Sequence, residues 1–289
     1  MKGNEKTEPL TKRQLLLRLA KLHGGDWEKI QKSIYDHDTA ALTVADPTPA
    51  ELNGWTPITI LDPEYPKALS EGGCVRPPFV ILYKGDPSIL EKDLVLLYGS
   101  TREEKGHVAV NAFVEDLAKE GLPAMVLCQS SGLKSQGRVA AMEFSVIRRE
   151  RDGKKEFAVW IANSVTDPDE VADEAVAHGG LALRTSWPGS TPRPDFLGAS
   201  APIHLCKAAL VLGGSVRGTG IVTTAMAAGA GKPLGVLARE VGDPDATLNL
   251  ALLSDGAAAG GIRCVSSTED AWKLLRDDQG PDGVDEGDE

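Results

Sequence analysis

The chain has 289 residues, of which 42% are hydrophobic and 25% charged, as is ordinary for a globular protein with a sizeable core. Its formal net charge is −11, and its last thirteen residues hold seven acids and no base, so −4 remains without them. Because the chain without this tail is still slightly acidic, it can bind nucleic acid only through a local basic patch. No apolar run approaches ~20 residues and no export signal opens the chain, so we expect a cytoplasmic protein that does not span a membrane.

Composition divides the chain into four parts. Residues 1–9 and the acidic tail 277–289 are expected to be disordered, and the tail has no apolar residue apart from Val284. Residues 10–50 predict a small helical domain. Residues 51–276 predict an α/β domain, which begins with a leading segment over 55–90.

The N-terminal part predicts three short helices. Leucines at helical spacing indicate the first helix over residues 10–22, which Thr11 can begin. Asp26 can cap the second helix, which places Trp27, Ile30, Ile34 and Tyr35 on one side. A third helix is expected around residues 38–45.

Beyond residue 55, apolar strand-like runs alternate with amphipathic helices. Strands are predicted over 58–61, 77–85, 94–98, 124–128, 157–162, 180–184, 208–212, 234–237 and 262–265. Helices are predicted over 108–120, 137–147, 167–177, from 219 onward, over 247–254 and over 266–275. This alternation implies a Rossmann-like, doubly wound and mostly parallel sheet. In such sheets, ligands bind at the carboxyl ends of the strands where the strand order reverses.

Three predicted strand-to-helix turns each combine glycine, a hydroxyl group and a nearby cation. Glycine allows positive φ and a close backbone approach, and a helix N-terminus offers unpaired N–H groups that bind phosphate. We therefore expect a mildly basic crevice for a nucleotide or a nucleic-acid backbone. A plain turn with glycines for tight packing is the alternative. The candidate DNA- or phosphate-binding residues are Gly99, Ser100, Thr101, Arg102, Ser131, Gly132, Lys134, Arg138, Gly214, Ser215, Arg217, Gly218, Thr219, Gly220 and Thr223.

Patterns of catalytic and metal sites are missing from the sequence. The first βα unit carries no GxGxxG fingerprint, and the chain has no GxSxG, P-loop or HExxH motif. The five histidines share no spacing, and the four cysteines form no CxxC pair, so buried free thiols are expected. We expect no enzyme activity, no metal and no cofactor.

The order of these motifs resembles the DNA processing protein A family (DprA, also called Smf). Residues 58–69 and 77–85 are similar to the family's run "DxxYPxxL … PPxxLYxKG", which precedes its Rossmann-like domain. Four turns follow in the family's order: Leu97–Arg102, Ser131–Leu133, Trp187–Pro192 and Thr219–Ala225. The resemblance covers roughly residues 55–265.

The resemblance implies a non-catalytic protein that binds single-stranded DNA and acts in DNA processing and recombination during transformation. It also implies a RecA-type recombinase as a partner, a homodimer formed through the Rossmann-like domain, and an N-terminal helical domain. Two departures stand out. The family's "xGIDxxAH" corresponds to Ser135–Met142 here, and its "RNR" to residues 199–201, Ala-Ser-Ala, which removes two cations that bind phosphate.

Two other interpretations stay open. The turn Gly213–Gly220 is also similar to the "GGxGT" phosphate loop of the lysine-decarboxylase-like (LOG) Rossmann proteins. This similarity implies a binder or sensor of a nucleotide or nucleotide-derived signal that has lost the DNA site. The other interpretation is a degenerate scaffold that only pairs with protein partners. The affinity for a DNA strand falls steeply as the salt concentration rises, whereas a single nucleotide makes too few phosphate contacts for its affinity to depend steeply on salt.

Overall fold

The computed structural model describes residues 10–99, 104–129, 157–165, 167–190, 200–243, 246–256 and 261–276. Within them, a nine-stranded sheet carries helices on both faces. The strands are β1 (Thr56–Thr59), β2 (Val80–Lys84), β3 (Val95–Gly99), β4 (Ala124–Cys128), β5 (Phe157–Ile161), β6 (Leu181–Arg184), β7 (Ala208–Gly213), β8 (Leu234–Leu237) and β9 (Ile262–Val265). The predicted Rossmann-like α/β fold is confirmed.

The helices include several that are shorter than two turns. They are α1 (Lys12–His23), α2 (Trp27–Tyr35), α3 (Pro49–Leu52), α4 (Lys67–Ser70), α5 (Glu104–Glu120), α6 (Pro168–Ala177), α7 (Ser200–Leu205), α8 (Gly220–Gly229), α9 (Thr247–Gly256) and α10 (Thr268–Arg276). Two 3₁₀ helices span Ala40–Thr43 and Pro87–Glu91. None of the described helices combines the length and apolarity that crossing a lipid bilayer requires. The predicted helix over 137–147 lies outside the described residues.

The strand order is β1-β2-β6-β5-β4-β3-β7-β8-β9. Strands β3 to β9 are all parallel, whereas β2 pairs antiparallel with both β1 and β6. From β3 the chain moves outward through β4, β5 and β6, and then returns to the other side of β3 as β7. The order therefore reverses between β3 and β7, where Gly99 lies opposite Gly213. We call this place the switch point.

The central strands are apolar because both faces of the sheet are covered. Every residue of β3, β4, β5 and β7 is buried. Alternate side chains enter opposite cores: Val95 and Leu97 join one, and Leu96 and Tyr98 the other. Each buried large aliphatic side chain contributes about 1.5–3 kcal/mol relative to an exposed one. Packing in these two cores holds the central strands in place. The carboxyl ends of these strands form the edge of the sheet at which the switch point lies.

The first two N-terminal helices follow the predicted capping signals. The Thr11 hydroxyl accepts from the backbone N–H of Gln14 in a capping box, and Asp26 caps α2 in the same way at Lys29. The prediction for one side of α2 is only partly right, because Ile30 is buried while Tyr35 is 84% exposed. Ser33 is the second buried residue of α2.

The predicted third helix is present only as a short 3₁₀ helix. Residues 38–45 contain only the 3₁₀ helix Ala40–Thr43, and the separate short helix α3 begins at Pro49. The Asp38 carboxylate accepts from the backbone N–H of Ala40 and so turns the chain locally. A proline at position 47 then follows, and proline is tolerated only in the first turn of a helix.

The turn between α1 and α2 packs tightly against the loop that follows β6. The backbone N–H of Trp187 donates to the carbonyl of Gly24 at 3.0 Å, and the Ser190 hydroxyl donates to the same carbonyl at 3.1 Å. A Cβ on Gly25 would lie 2.1 Å from the carbonyl oxygen of Thr185. Leu17, Leu19, Ala20 and Ile30 join the same core as the sheet. The turn between α1 and α2 is therefore hydrogen-bonded and packed against the edge of the sheet that carries the carboxyl ends of β3 to β9.

Candidate functional site

The turn from β7 to α8 lies at the switch point and contains most of the described candidate residues. The backbone N–H of Gly218 donates to the carbonyl of Ser215 at 2.8 Å, and that of Arg217 donates to the Ser215 hydroxyl at 3.2 Å. Ser215 therefore shapes the turn from within. Arg217 is exposed at its tip, and no hydrogen bond or ion pair of its guanidinium occurs among the described residues.

The glycines of this turn are needed for close packing. None of Gly213, Gly214, Gly218 and Gly220 uses the positive φ that glycine allows. A Cβ on Gly220 would lie 3.1 Å from Cδ2 of Leu248, and one on Gly214 would lie 3.4 Å from the same atom. Helix α9 thus approaches the turn closely.

The first turn of α9 supports the switch-point turn through its backbone. The backbone N–H of Leu248 donates to the carbonyl of Gly214 at 2.9 Å. The backbone N–H of Val216 donates to the Thr247 hydroxyl at 3.4 Å. These contacts place the N-termini of α8 and α9 side by side, and both ends carry partial positive charge.

A buried polar group holds the strand end directly before the turn. The amide Nδ2 of Asn249, which is fully buried, donates to the carbonyls of Leu237 at 2.8 Å and Leu212 at 3.5 Å. The Leu212 carbonyl also accepts from Nη1 of Arg239 at 3.1 Å, and Arg239 forms an ion pair with Asp243. Sequence inspection missed these supporting residues, since no motif relates them to a turn more than twenty residues earlier.

Helix α8 is fastened to β3 by a chain of hydroxyl groups. The Tyr98 hydroxyl lies 2.8 Å from that of Thr224, which donates to the carbonyl of Gly220 at 2.8 Å. Burial raises the pKa of Tyr98 above its usual value, so it stays protonated and donates. Thr223, a candidate binding residue, is 1% exposed, and its hydroxyl points back to the carbonyl of Thr219. The Thr223 side chain therefore stabilises α8 from the buried face of the helix.

The described structure brings the ends of three strands together at the switch point. Gly99 ends β3, and Gln129 follows β4. The Thr219 hydroxyl donates to Oε1 of Gln129 at 3.4 Å, and the Ser164 hydroxyl donates to the Gln129 carbonyl. Thr219 occupies the N-cap position of α8, as predicted, but makes no capping bond with its side chain. The candidates outside the described residues are Ser100, Thr101, Arg102, Ser131, Gly132, Lys134 and Arg138.

The switch-point turn places the exposed Arg217 directly before the N-terminus of α8, at the carboxyl edge of the sheet. A guanidinium beside a helix N-terminus is an arrangement that suits an anion. Within the described ranges, no group of three or more His, Cys, Asp or Glu side chains is placed to hold a metal ion. Two cysteines, Cys128 and Cys206, are buried free thiols as predicted, whereas Cys264 is exposed.

Neither a protein-family model nor a curated protein matches this chain. Among solved structures, DNA processing protein A (DprA) from Streptococcus pneumoniae superposes with a TM-score of 0.60 at 20% identity, covering 90% of this chain and 92% of that one. DprA from Helicobacter pylori, whose structure concerns its single-stranded DNA binding mode, gives a TM-score of 0.56 at 16% identity, with coverages of 78% and 97%. This chain has the DprA fold. The molybdenum cofactor carrier protein of Chlamydomonas reinhardtii reaches only 0.41 at 14% identity, with coverages of 64% and 99%.

The departure from the family's "RNR" falls partly on described residues. Ser200 and Ala201 lie in the first turn of α7, and both are only 3% exposed. The Ser200 hydroxyl lies 3.4 Å from the thiol of Cys74. These two neutral residues are packed inside the protein and offer no contact to a phosphate.

A second concave site lies beside the N-terminal helices. This pocket of about 450 Å³ is lined by Lys21, Glu51, Asn53, Asp169, Trp187, Pro188, Gly189 and Ser190. Lys21 and Glu51 pair with each other at 2.6 Å. Asp169 accepts from the indole of Trp55 at 2.6 Å and lies 3.7 Å from the guanidinium of Arg184. Because its charges are paired with one another, this pocket favours no charged ligand.

Proposed function

We propose that this chain is a divergent, non-catalytic member of the DprA family that binds single-stranded DNA at the switch point. The observation that carries the proposal is the exposed Arg217 at the tip of the switch-point turn, directly before α8. The DprA fold and the ordered motifs from residue 58 onward support it.

The proposed site binds phosphates. The guanidinium of Arg217 forms charge-assisted hydrogen bonds to phosphate oxygens, and the positive end of the α8 dipole adds to the attraction. The sequence candidates Arg102, Lys134 and Arg138 lie outside the described residues and stay predicted contacts of the same DNA strand. The resemblance further supports a homodimer that acts with a RecA-type recombinase.

Fluorescence anisotropy with a labelled oligo(dT) of about 30 nucleotides at two salt concentrations tests this proposal. We expect affinity to fall steeply with salt, because binding releases counterions. Arg217→Ala should weaken binding about tenfold, since a hydrogen bond to a charged group contributes about 1.5 kcal/mol or more. It should also reduce the salt slope by about 0.7, the value of one contact to a single strand.

Lys92→Ala is the matched control. Lys92 is also exposed, but it lies three residues before β3 and therefore at the opposite edge of the sheet. We expect the Lys92→Ala variant to bind oligo(dT) with the same affinity and the same salt slope as the wild type. Absence of binding at low salt would refute the proposal. Salt-insensitive binding that a mononucleotide displaces would favour the nucleotide-binding interpretation.

A further inference from the structure

Three exposed aliphatic side chains lie close to Arg217 in the sequence, in the switch-point turn and the first turn of α8. Val216 is 42% exposed, Ile221 41% and Val222 37%. All three are β-branched, and they lie within seven residues of one another. Clustered exposed apolar side chains in a folded protein mark an interaction surface more often than scattered ones do.

Packing of α8 does not require two of these side chains. The helix buries Gly220, Thr223, Thr224 and Ala227 against the rest of the protein. Ile221 and Val222 lie off that face, where β-branched residues also disfavour a helix slightly. Their exposed apolar surface is therefore available for contact with a ligand.

The charge around these residues indicates the kind of ligand. Residues 213–229 contain Arg217 and no acidic residue. We call Val216, Arg217, Ile221 and Val222 the apolar–cationic patch. A symmetric contact between two copies through this patch would place two Arg217 guanidinium groups and no acidic residue of this segment in one interface, and like charges repel. A single-stranded nucleic acid alternates anionic phosphates with apolar base faces, and thus matches the patch in both respects.

We propose that the apolar–cationic patch holds nucleobases of the bound strand. The side chains of Val216, Ile221 and Val222 pack against base faces and the thymine methyl group, while Arg217 and the start of α8 hold the phosphates. This inference rests on the proposed function and deepens it. It adds a part of the binding free energy that does not depend on salt, because apolar contacts release no counterions.

A comparison of two probes of equal charge tests the inference: an oligo(dT) and an abasic oligomer of the same length. The wild-type protein should bind oligo(dT) more tightly. Ile221→Ser and Val222→Ser should each weaken oligo(dT) binding about threefold to tenfold, leave the salt slope unchanged and leave abasic binding unchanged. Arg217→Ala should instead weaken both probes and lower the salt slope.

Leu42→Ser is the control, because Leu42 is 55% exposed but lies in the N-terminal 3₁₀ helix. It should not change either affinity, and thermal unfolding should show that all variants stay folded. Equal wild-type affinity for the two probes would overturn the inference while leaving strand binding intact. A serine variant that keeps the preference for bases but loses self-association in sedimentation would assign the patch to a second copy. Failure to bind either probe would refute the proposed function itself.

Discussion

Replacing Gly25 by alanine tests how the N-terminal helices meet the sheet. Gly25 has φ of +83°, a left-handed conformation that costs an alanine about 1–2 kcal/mol. Its Cβ would also lie 2.1 Å from the carbonyl oxygen of Thr185 and 3.0 Å from Cα of Ser186. Both are backbone atoms, so no rotamer change relieves the overlap. Overpacking of this kind costs about 1–3 kcal/mol more, and we expect a total loss of about 2–5 kcal/mol.

Gly73→Ala isolates the backbone contribution. Gly73 has a similar φ of +77°, but a Cβ there would meet nothing within 4 Å. Urea unfolding should therefore show a loss of only about 1–2 kcal/mol for this variant. In Gly25→Ala, the backbone amide of Trp187 should also exchange hydrogen faster, because its bond to Gly24 is disturbed. Equal losses in the two variants would refute the close docking of the α1–α2 turn against Thr185.

Two further predictions concern the support of the turn and the pH dependence of stability. Asn249→Ala should lower the free energy of unfolding by about 1–3 kcal/mol, because the carbonyl of Leu237 loses its buried side-chain donor while that of Leu212 keeps Arg239; a loss below about 0.5 kcal/mol in chemical denaturation would contradict this. Hydrogen bonds from Lys21 and then Thr48 lower the pKa of Glu51 from 4.5 to about 2. Its contribution to stability is therefore complete above pH 4.5 and is lost as the pH falls towards 2, and thermal unfolding of Glu51→Gln should depend less on pH in that range. Identical profiles for wild type and variant would show that this ion pair is not formed in solution.

The bounds of several strands and two helix caps were predicted correctly because they depend on residues that are neighbours in the sequence. The predicted bounds of β4, β8 and β9 match the structure. Strands β4 and β8 are short uncharged runs between turn residues, which explains why their bounds were predictable. The caps at Thr11 and Asp26 were also predictable, since a capping bond joins residues three apart.

Other elements depended on partners that sequence inspection could not place. Helix α7 was missed because it has only six residues and contains Pro202. The exposure of Tyr35 depends on where α2 meets the rest of the protein, and periodicity alone does not settle it. The antiparallel pairing of β2 with β6 is a contact between residues about one hundred positions apart.

The sequence by itself determined the Rossmann-like class, the glycine-rich turn after β7 and Arg217 within that turn, because periodicity and turn chemistry are properties of neighbouring residues. Only the tertiary structure decided where that turn lies. The strand order puts Gly99 opposite Gly213, and α9 brings Leu248 against Gly220. The tertiary structure also decided that Thr223 is buried whereas Val216 and Ile221 are exposed. These properties arise from packing between distant segments, since the cores on both faces of the sheet determine which side chains remain in contact with solvent.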